Sequence, residues 1–345
     1  MKGFIGSLIA LIWLPTALAS TVKDTLVLDS GELLIGELLQ IHQEHILFDS
    51  DVLGELEIDL EDVAQLTSEQ RYQINLDEQG VIEGTISLEK PWLVIQSKHQ
   101  ITVATDALIA LYPLEELESQ PWEQKATLSA SFSGGNSHSR DLNGKYQGIR
   151  LSALRRTSVD YLVNISASDE QRNTDNHRLT ASHDIYRSQR WFFRPVQLEL
   201  YHAPLQNIRL QTQLSPQLGY IALDNDIVRW ELAAGPSWQQ TRFKNTAEGQ
   251  SDRESSLGAA MGSRFSWELS DSIELKHDFS MSLSNADTGG YQHHSLLGVA
   301  VELAEDFDLD VDFIWDYIEQ PALDSNNQRP KSSDYRTVVG LGLSF

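Results

Sequence analysis

From Lys125 to Phe345, apolar and polar residues alternate at period two, in segments of about ten residues separated by turns. Alternation of this kind puts every second side chain on one face of a strand. One face carries Leu210, Thr212, Leu214, Pro216, Leu218 and Tyr220, and the opposite face carries Arg209, Gln211, Gln213, Ser215 and Gln217. The same contrast runs through Trp230 to Trp238, Leu257 to Leu269, Ile273 to Leu283, Leu309 to Tyr317 and Tyr335 to Phe345. A soluble sandwich would show similar rows, so alternation alone does not decide.

Three further features favour a barrel that spans a membrane. Segments begin near Lys125, Leu142, Ser158, His177, Trp191, Ile208, Val228, Ser255, Ser272, Ser295, Asp308 and Asp334, which predicts about twelve antiparallel strands. Their connections alternate in length. Arg155-Arg156-Thr157, Ser188-Gln189-Arg190, Asp224-Asn225-Asp226, Ser270-Asp271 and Glu305-Asp306 are short. Ser133–Asp141, Asp169–Asn176, Asn245–Glu254, Asn285–His293 and Glu319–Ser333 are longer, and only Pro204–Asn207 breaks the pattern. Short turns at one end and long loops at the other describe an outer-membrane barrel. Secondly, Trp191, Phe192, Phe193, Trp267, Trp315, Tyr317 and Tyr335 fall near segment ends, where girdle aromatics belong. Thirdly, Tyr335, Val339, Leu341, Leu343 and the terminal Phe345 form a period-two row like the last strand read by the barrel-assembly machinery.

The beginning of the chain has the pattern of an export signal. Met1-Lys2 precedes an apolar run from Phe4 to Leu14, too short to cross a bilayer as a helix. Ala17-Leu18-Ala19 predicts cleavage between Ala19 and Ser20. The chain has no cysteine, which excludes a lipoprotein anchor, thiolate metal sites and a cysteine nucleophile.

Charge is unevenly spread. Residues 20–123 hold 22 acids and 4 bases, whereas 124–345 hold 28 acids and 21 bases. So acidic a segment repels nucleic acid and anionic lipid headgroups. It belongs in water beside the membrane, where it either serves solubility alone or faces a basic periplasmic partner.

That acidic segment reads as a doubled unit of short strands. Leu28 to Gly36 is echoed by Leu76 to Gly84, and Asp62 to Leu66 by Ala107 to Leu111, at a spacing of about 45–48 residues. Two copies of a five-stranded SH3-like or Sm-like barrel are expected, packed on each other because each alone buries little. Pro113, the acidic Glu115-Glu116-Leu117-Glu118 and Pro121-Trp122 make the linker. The expected organisation is a signal peptide over 1–19, an acidic periplasmic β module over 20–119 and an outer-membrane β-barrel over 120–345. The fold class is all-β throughout.

The opening Asp24 to Glu37, the stretch Ala130-Ser131-Phe132-Ser133-Gly134-Gly135-Asn136-Ser137 and the terminal Gly340-Leu341-Gly342-Leu343-Ser344-Phe345 resemble the salt-induced outer-membrane protein family of proteobacteria. The basic residue usual after the first turn of that family is missing here. The resemblance implies an outer-membrane location and a barrel in contact with outer-membrane lipid and lipopolysaccharide. The family has no established reaction.

Chemistry was sought in the barrel half. No Gly-x-Ser-x-Gly elbow is present. His293-His294 beside Asp287 is the best cluster for a metal or a base, but adjacent histidines on a strand point apart. His277 falls in an apolar row. No catalytic, cofactor or metal site is assigned. Asp308, Asp310, Asp312 and Asp316 share the polar face of one segment, and Arg178, Arg209, Arg229, Arg264, Lys276 and Arg336 are candidate lumen bases. Arg336 is the nearest expected partner of the acidic stripe. Such charges either tune a pore or fill a narrow barrel with ion pairs, and filling is favoured. The leading expectation is a non-enzymatic barrel, structural and stress-related or a narrow passive channel. The alternative is a barrel hydrolase acting on lipid or peptide.

Overall fold

The computed structural model describes the chain except for residues 1–22, 43–44, 78, 115–121, 134–138, 153, 169–170, 226, 247–250, 271, 305 and 324–327. The expected cleavage site at Ala19 and Ser20 lies outside the described residues, as do Glu115 to Pro121 of the linker and all of Gly134-Gly135-Asn136-Ser137.

Nine strands make the first sheet. They are β1 (Asp24–Leu28), β2 (Leu33–His42), β3 (His45–Ser50), β4 (Gly54–Asp59), β5 (Val63–Leu76), β6 (Gly80–Glu89), β7 (Trp92–Gln96), β8 (Gln100–Ala104) and β9 (Leu108–Pro113). The pairing of one half is repeated in the other. β1 lies between β2 and the start of β5, and the end of β5 lies between β6 and β9. β2–β3–β4 and β6–β7–β8 are matching meanders, each followed by a 3₁₀ turn, Leu60–Asp62 and Thr105–Ala107. The halves also exchange edges: the end of β2 pairs with β9, and the end of β6 pairs with the start of β5. They therefore share one sheet and one core, containing Leu26, Leu38, Phe48 and Leu66 from the first half and Ile74, Leu88, Ile95 and Leu111 from the second. Inside it, Tyr72 Oη donates to Asp24 at 3.2 Å, and Asp24 accepts from the Leu38 backbone N–H at 2.7 Å. This ties β5, β1 and β2 together without leaving the carboxylate bare.

The second sheet closes on itself. Its strands are β10 (Glu123–Ser133), β11 (Ser139–Ser152), β12 (Arg155–Ser168), β13 (Gln171–Tyr186), β14 (Trp191–Ala203), β15 (Ile208–Leu214), β16 (Gln217–Asp224), β17 (Val228–Phe243), β18 (Arg253–Ser270), β19 (Ile273–Leu283), β20 (Tyr291–Ala304), β21 (Phe307–Ile318) and β22 (Ser333–Ser344). β15 and β16 both lie between β14 and β17. They are one barrel strand interrupted at Ser215-Pro216, where proline has no N–H for the ladder. Among the described residues the barrel therefore has twelve antiparallel strands, sealed by β22 on β10 from Leu128↔Leu341 to Lys125↔Ser344. Closure leaves no open edge, so the ladder can satisfy its own backbone groups away from water.

The polarity is that of a barrel crossing a membrane: apolar outside, charged inside. Along β21, Phe307, Val311, Phe313 and Trp315 are exposed, while Asp310, Asp312 and Asp316 are buried. Trp191, Phe193, Trp230 and Trp267 stand exposed near one end, and Trp315 and Tyr335 near the other, as interfacial girdles do. One end has the short connections 153–154, 187–190, 225–227, 271–272 and 305–306, and the other has the longer 244–252, 284–290 and 319–332.

Several expectations change. Arg155, Arg156 and Thr157 belong to β12 rather than to a turn, which falls at 153–154. Most of the loop expected over Asp169–Asn176 is strand β13, so that connection is short. His293 and His294 lie in β20, not in the Gly-Gly loop. Phe192 is not a girdle residue: strand alternation turns it inward between the outward Trp191 and Phe193.

Candidate functional site: a filled lumen closed by the N-terminal module

The first sheet seats on the short-turn end of the barrel. All six residues of β9 are buried. Leu108 and Leu111 enter the core of the first sheet. Ile109, Ala110 and Tyr112 face the other way and pack on Tyr186, Phe192, Ile221 and Ala233 of the barrel. The ring of Phe192 fills the space over Gly219, where an added Cβ would sit 2.0 Å from it. His42, at the end of β2, meets Tyr186 edge-on at 5.0 Å and Tyr112 at 6.2 Å. Gln189 in a barrel turn donates to the carbonyls of Asp106 (2.8 Å) and Leu108 (3.3 Å). Burial without a partner for either ring nitrogen holds His42 neutral, its pKa pushed down to about 3; the cations Arg229 and Arg156 act in the same direction.

Directly above this seal lies a buried ion cluster. Arg156 donates to Asp184 at 3.2 and 2.8 Å and to Glu231 at 2.7 and 2.6 Å. Arg194 donates to Asp184 at 2.6 and 3.1 Å. Arg229 donates to Glu231 at 3.0 and 2.9 Å and to Asp224 at 3.1 Å. Further along, Arg264 bonds Asp278 at 3.2 Å on the neighbouring strand and lies 3.7 Å from Asp160 across the lumen on β12. Lys276 pairs with Glu274 at 2.6 Å on the same strand. A cavity of about 120 Å³ remains among Lys145, Asp160, Arg178, Arg194, Arg264 and Asp278.

The acidic stripe points inward as expected, but its partners differ. Lys125 lies 2.5 Å from Asp308 and 3.1 Å from Asp310. Lys145 lies 3.6 Å from Asp310 and 2.8 Å from Asp312. Thr127 also donates to Asp310 at 2.5 Å. Gly342 makes this possible: a Cβ there would lie 2.8 Å from Lys125 Cε and 3.2 Å from Asp310 Oδ2. The bare backbone of β22 thus lets a lysine from β10 reach an aspartate on β21. Arg336 stands opposite Ile314, too far along the strand for that role, and reaches Asp316 at 3.4 Å. Asp316 also receives Arg178 at 2.8 Å and His294 at 2.7 Å.

Arg209 is not in the lumen. A register shift between Ile208 and Leu210 turns it outward, and it is exposed. Arg229, Arg264, Lys276, Asp308, Asp310, Asp312 and Arg336 do face inward. Lys125, Lys145, Arg156, Asp184, Arg194 and Glu231 were not singled out in the sequence. Each shares its face with lumen-facing residues on its own strand, and that parity is the signal that could have found them.

At the long-loop end, connections fold inward on one side. The carbonyl of Thr288 accepts from Gln239 at 2.7 Å and from Gln292 at 2.8 Å, while Gln206 bonds Asp334. On the other side, over β10–β13 and β22, a polar vestibule of about 730 Å³ stays open.

No group of three or more metal-ligating side chains is set for an ion among the described residues. His293 turns outward and stacks on Tyr317 at 5.3 Å, whereas His294 turns inward to Asp316. His277 Nε2 is 3.0 Å from Ser295 Oγ on the outward face, and among the described residues no acid bonds its other nitrogen.

Residues 126–345 match the family described as "Protein of unknown function, DUF481", and the chain belongs to that family. No curated protein matches the chain. Among solved structures it is similar to the NanC porin (9% identity, 65% of this chain and 98% of the other, TM-score 0.36). It is likewise similar to the COG4313 outer membrane channel from Pseudomonas putida F1 (11%, 65% and 93%, 0.37). A third is the translocator domain of autotransporter NalP from Neisseria meningitidis (13%, 65% and 87%, 0.36).

Proposed function

We propose that this protein is a non-enzymatic outer-membrane barrel, held closed by its own acidic periplasmic module, with a structural and stress-related role. The observation that carries the proposal is the seal, in which Ile109, Tyr112 and His42 cover Tyr186 and Phe192 at the short-turn mouth. The ion pairs crossing the lumen, Arg264 to Asp160 and Arg178 to Asp316, support filling rather than flow. The resemblance to a salt-induced family is in keeping with a stress role. The two halves of the module are read as merged SH3- or Sm-like units, and their acidity suits a basic periplasmic partner. Planar-bilayer recording on refolded full-length protein tests the proposal. Silence both in the full chain and after Tyr112→Asp, which breaks the seal, is expected of a structural barrel. Discrete openings in the full chain would overturn it.

A second reading is a narrow channel gated by undocking of the module, favoured by the polar vestibule and the inner cavity below it. Openings only after Tyr112→Asp would identify that case. A hydrolase acting on lipid or peptide is not favoured, because among the described residues no acid orients the His277–Ser295 pair.

Two further outcomes follow from this topology. A tag inserted near Asn326, which lies outside the described residues between β21 and β22 in sequence, is expected to be labelled on intact cells, and one at Gln79 is not; labelling at Gln79 would reverse the orientation. Phe345 is exposed beside the β10–β22 closure, where its backbone exchanges hydrogen bonds with Gln124. Phe345→Asp is expected to cut the amount of assembled barrel several-fold, read as the heat-modifiable band on a gel.

A further inference from the structure

We propose that the vestibule at the long-loop mouth is a binding site for neutral oligosaccharide. Asn143, Asn164 and Asn176 are in register on the adjoining strands β11, β12 and β13, and all three line the vestibule. Their amides form a row at strand spacing, roughly 4.8 Å apart. Asn164 donates to Asn143, and Asn164 and Asn176 are both buried. The next row towards the mouth is Asp141, Ser166 and Thr174, again in register, with Ser166 donating to Asp141. Ser129 on β10, in register with Asn143, continues the asparagine row, and Gln206, Asp334, Arg336 and Lys331 complete the lining. Arg336 spends Nη1 on Asp316, while its Nε is buried without a partner.

This chemistry selects a class of ligand. Two acids, Asp141 and Asp334, balance two bases, Lys331 and Arg336, so the lining carries no net formal charge to select an ion. What it offers densely is amide and hydroxyl groups, each side able to donate and accept. A polyhydroxylated neutral ligand meets such a wall with matching groups, and a volume of about 730 Å³ suits a molecule of two or three sugar rings. Next to the vestibule, sharing Asn143 and Arg336 with it, the lumen narrows to a cavity of about 20 Å³, so the ligand lodges rather than passes. The site does not depend on whether the barrel conducts, because occupancy is read without flow.

The ligand has two possible sources, a free sugar or the sugar portion of surface glycolipid. Isothermal titration of refolded full-length protein, in a detergent without a sugar headgroup and free of lipopolysaccharide, distinguishes them with maltotriose and with the neutral hexose portion of a lipopolysaccharide core, freed of lipid, phosphate and acidic sugar, as separate titrants. Saturable binding of either supports the site, and the tighter titrant identifies the source. Asn164→Leu is expected to weaken that binding about tenfold or more, as loss of a buried hydrogen-bonding group does. Asn225→Ala, in a turn at the opposite end, is expected to leave it unchanged. Heat modifiability on a gel reports whether each variant is folded, and Asn176→Ser gives the same test should Asn164→Leu not fold. No saturable binding of either titrant, or binding unaltered in a folded Asn164→Leu or Asn176→Ser variant, overturns the assignment.

Discussion

Glu231→Gln is expected to lower the stability of the barrel by about 3–5 kcal/mol, read as a fall in its unfolding midpoint in detergent. Glu231 holds two guanidinium groups, Arg156 and Arg229, at 2.6–3.0 Å on one side of the lumen. Glutamine keeps the shape and removes the charge. Asp184 then remains as the carboxylate for Arg156 and Arg194, and Asp224 for Arg229. Breaking a buried pair from one side costs far more than the pair contributes, because three desolvated guanidinium groups then share two carboxylates and one positive charge stays uncompensated. Arg156 has no alternative exposure: it is sealed from below by Tyr186 and Phe192, each 5.8 Å from its guanidinium carbon. A Glu231→Gln midpoint equal to that of the unaltered protein would mean that water reaches the cluster and screens it.

The barrel was legible because a polar inner face and an apolar outer face repeat at period two along most of its strands. The inward set of Asp308, Asp310, Asp312 and Asp316 follows from the outward Leu309, Val311 and Phe313 by parity alone. Which base meets which acid does not follow. Lys125 is separated from Asp310 by 185 residues, and only closure of β10 on β22 brings them together. Gly342, which clears the path, looks in the sequence like part of an assembly strand. Arg336 meets Asp316 of the stripe and misses Asp308, Asp310 and Asp312 through height rather than strand, since one residue of register along β22 is worth roughly 3.3 Å. Phe192 misled because three consecutive aromatics look like a girdle, although alternation must turn one of them inward. The seal does have a signal in the sequence. Ala107 to Tyr112 is nearly continuous in apolar residues, the mark of a strand buried on both faces, whereas a strand with one face in water would have alternated.

Acidification is expected to loosen the module from the barrel through His42. Its docked pKa of about 3 lies below the ordinary value of 6.5 because burial disfavours the charged form. Between those values the docked imidazole is neutral and the undocked one protonated, so undocking takes up a proton. The contribution of neutral His42 is fully present above pH 6.5 and is lost as pH falls towards about 3. Each unit within that window weakens docking by up to about 1.4 kcal/mol. The groups around the ring reinforce the direction. Arg229 and Arg156 from the barrel and His45 from β3 repel a proton there, Glu231 attracts one, and Tyr112 and Tyr186 bury the ring with hydroxyls that have no partner. Hydrogen exchange over Leu108–Pro113 measures the docking directly. Going from pH 7 to pH 4, exchange corrected for its intrinsic pH dependence should accelerate in the unaltered protein. In His42→Leu, which keeps the contact apolar and cannot titrate, the acceleration should largely vanish. Equal acceleration in both would assign the acid sensitivity to carboxylates elsewhere and remove His42 from the latch.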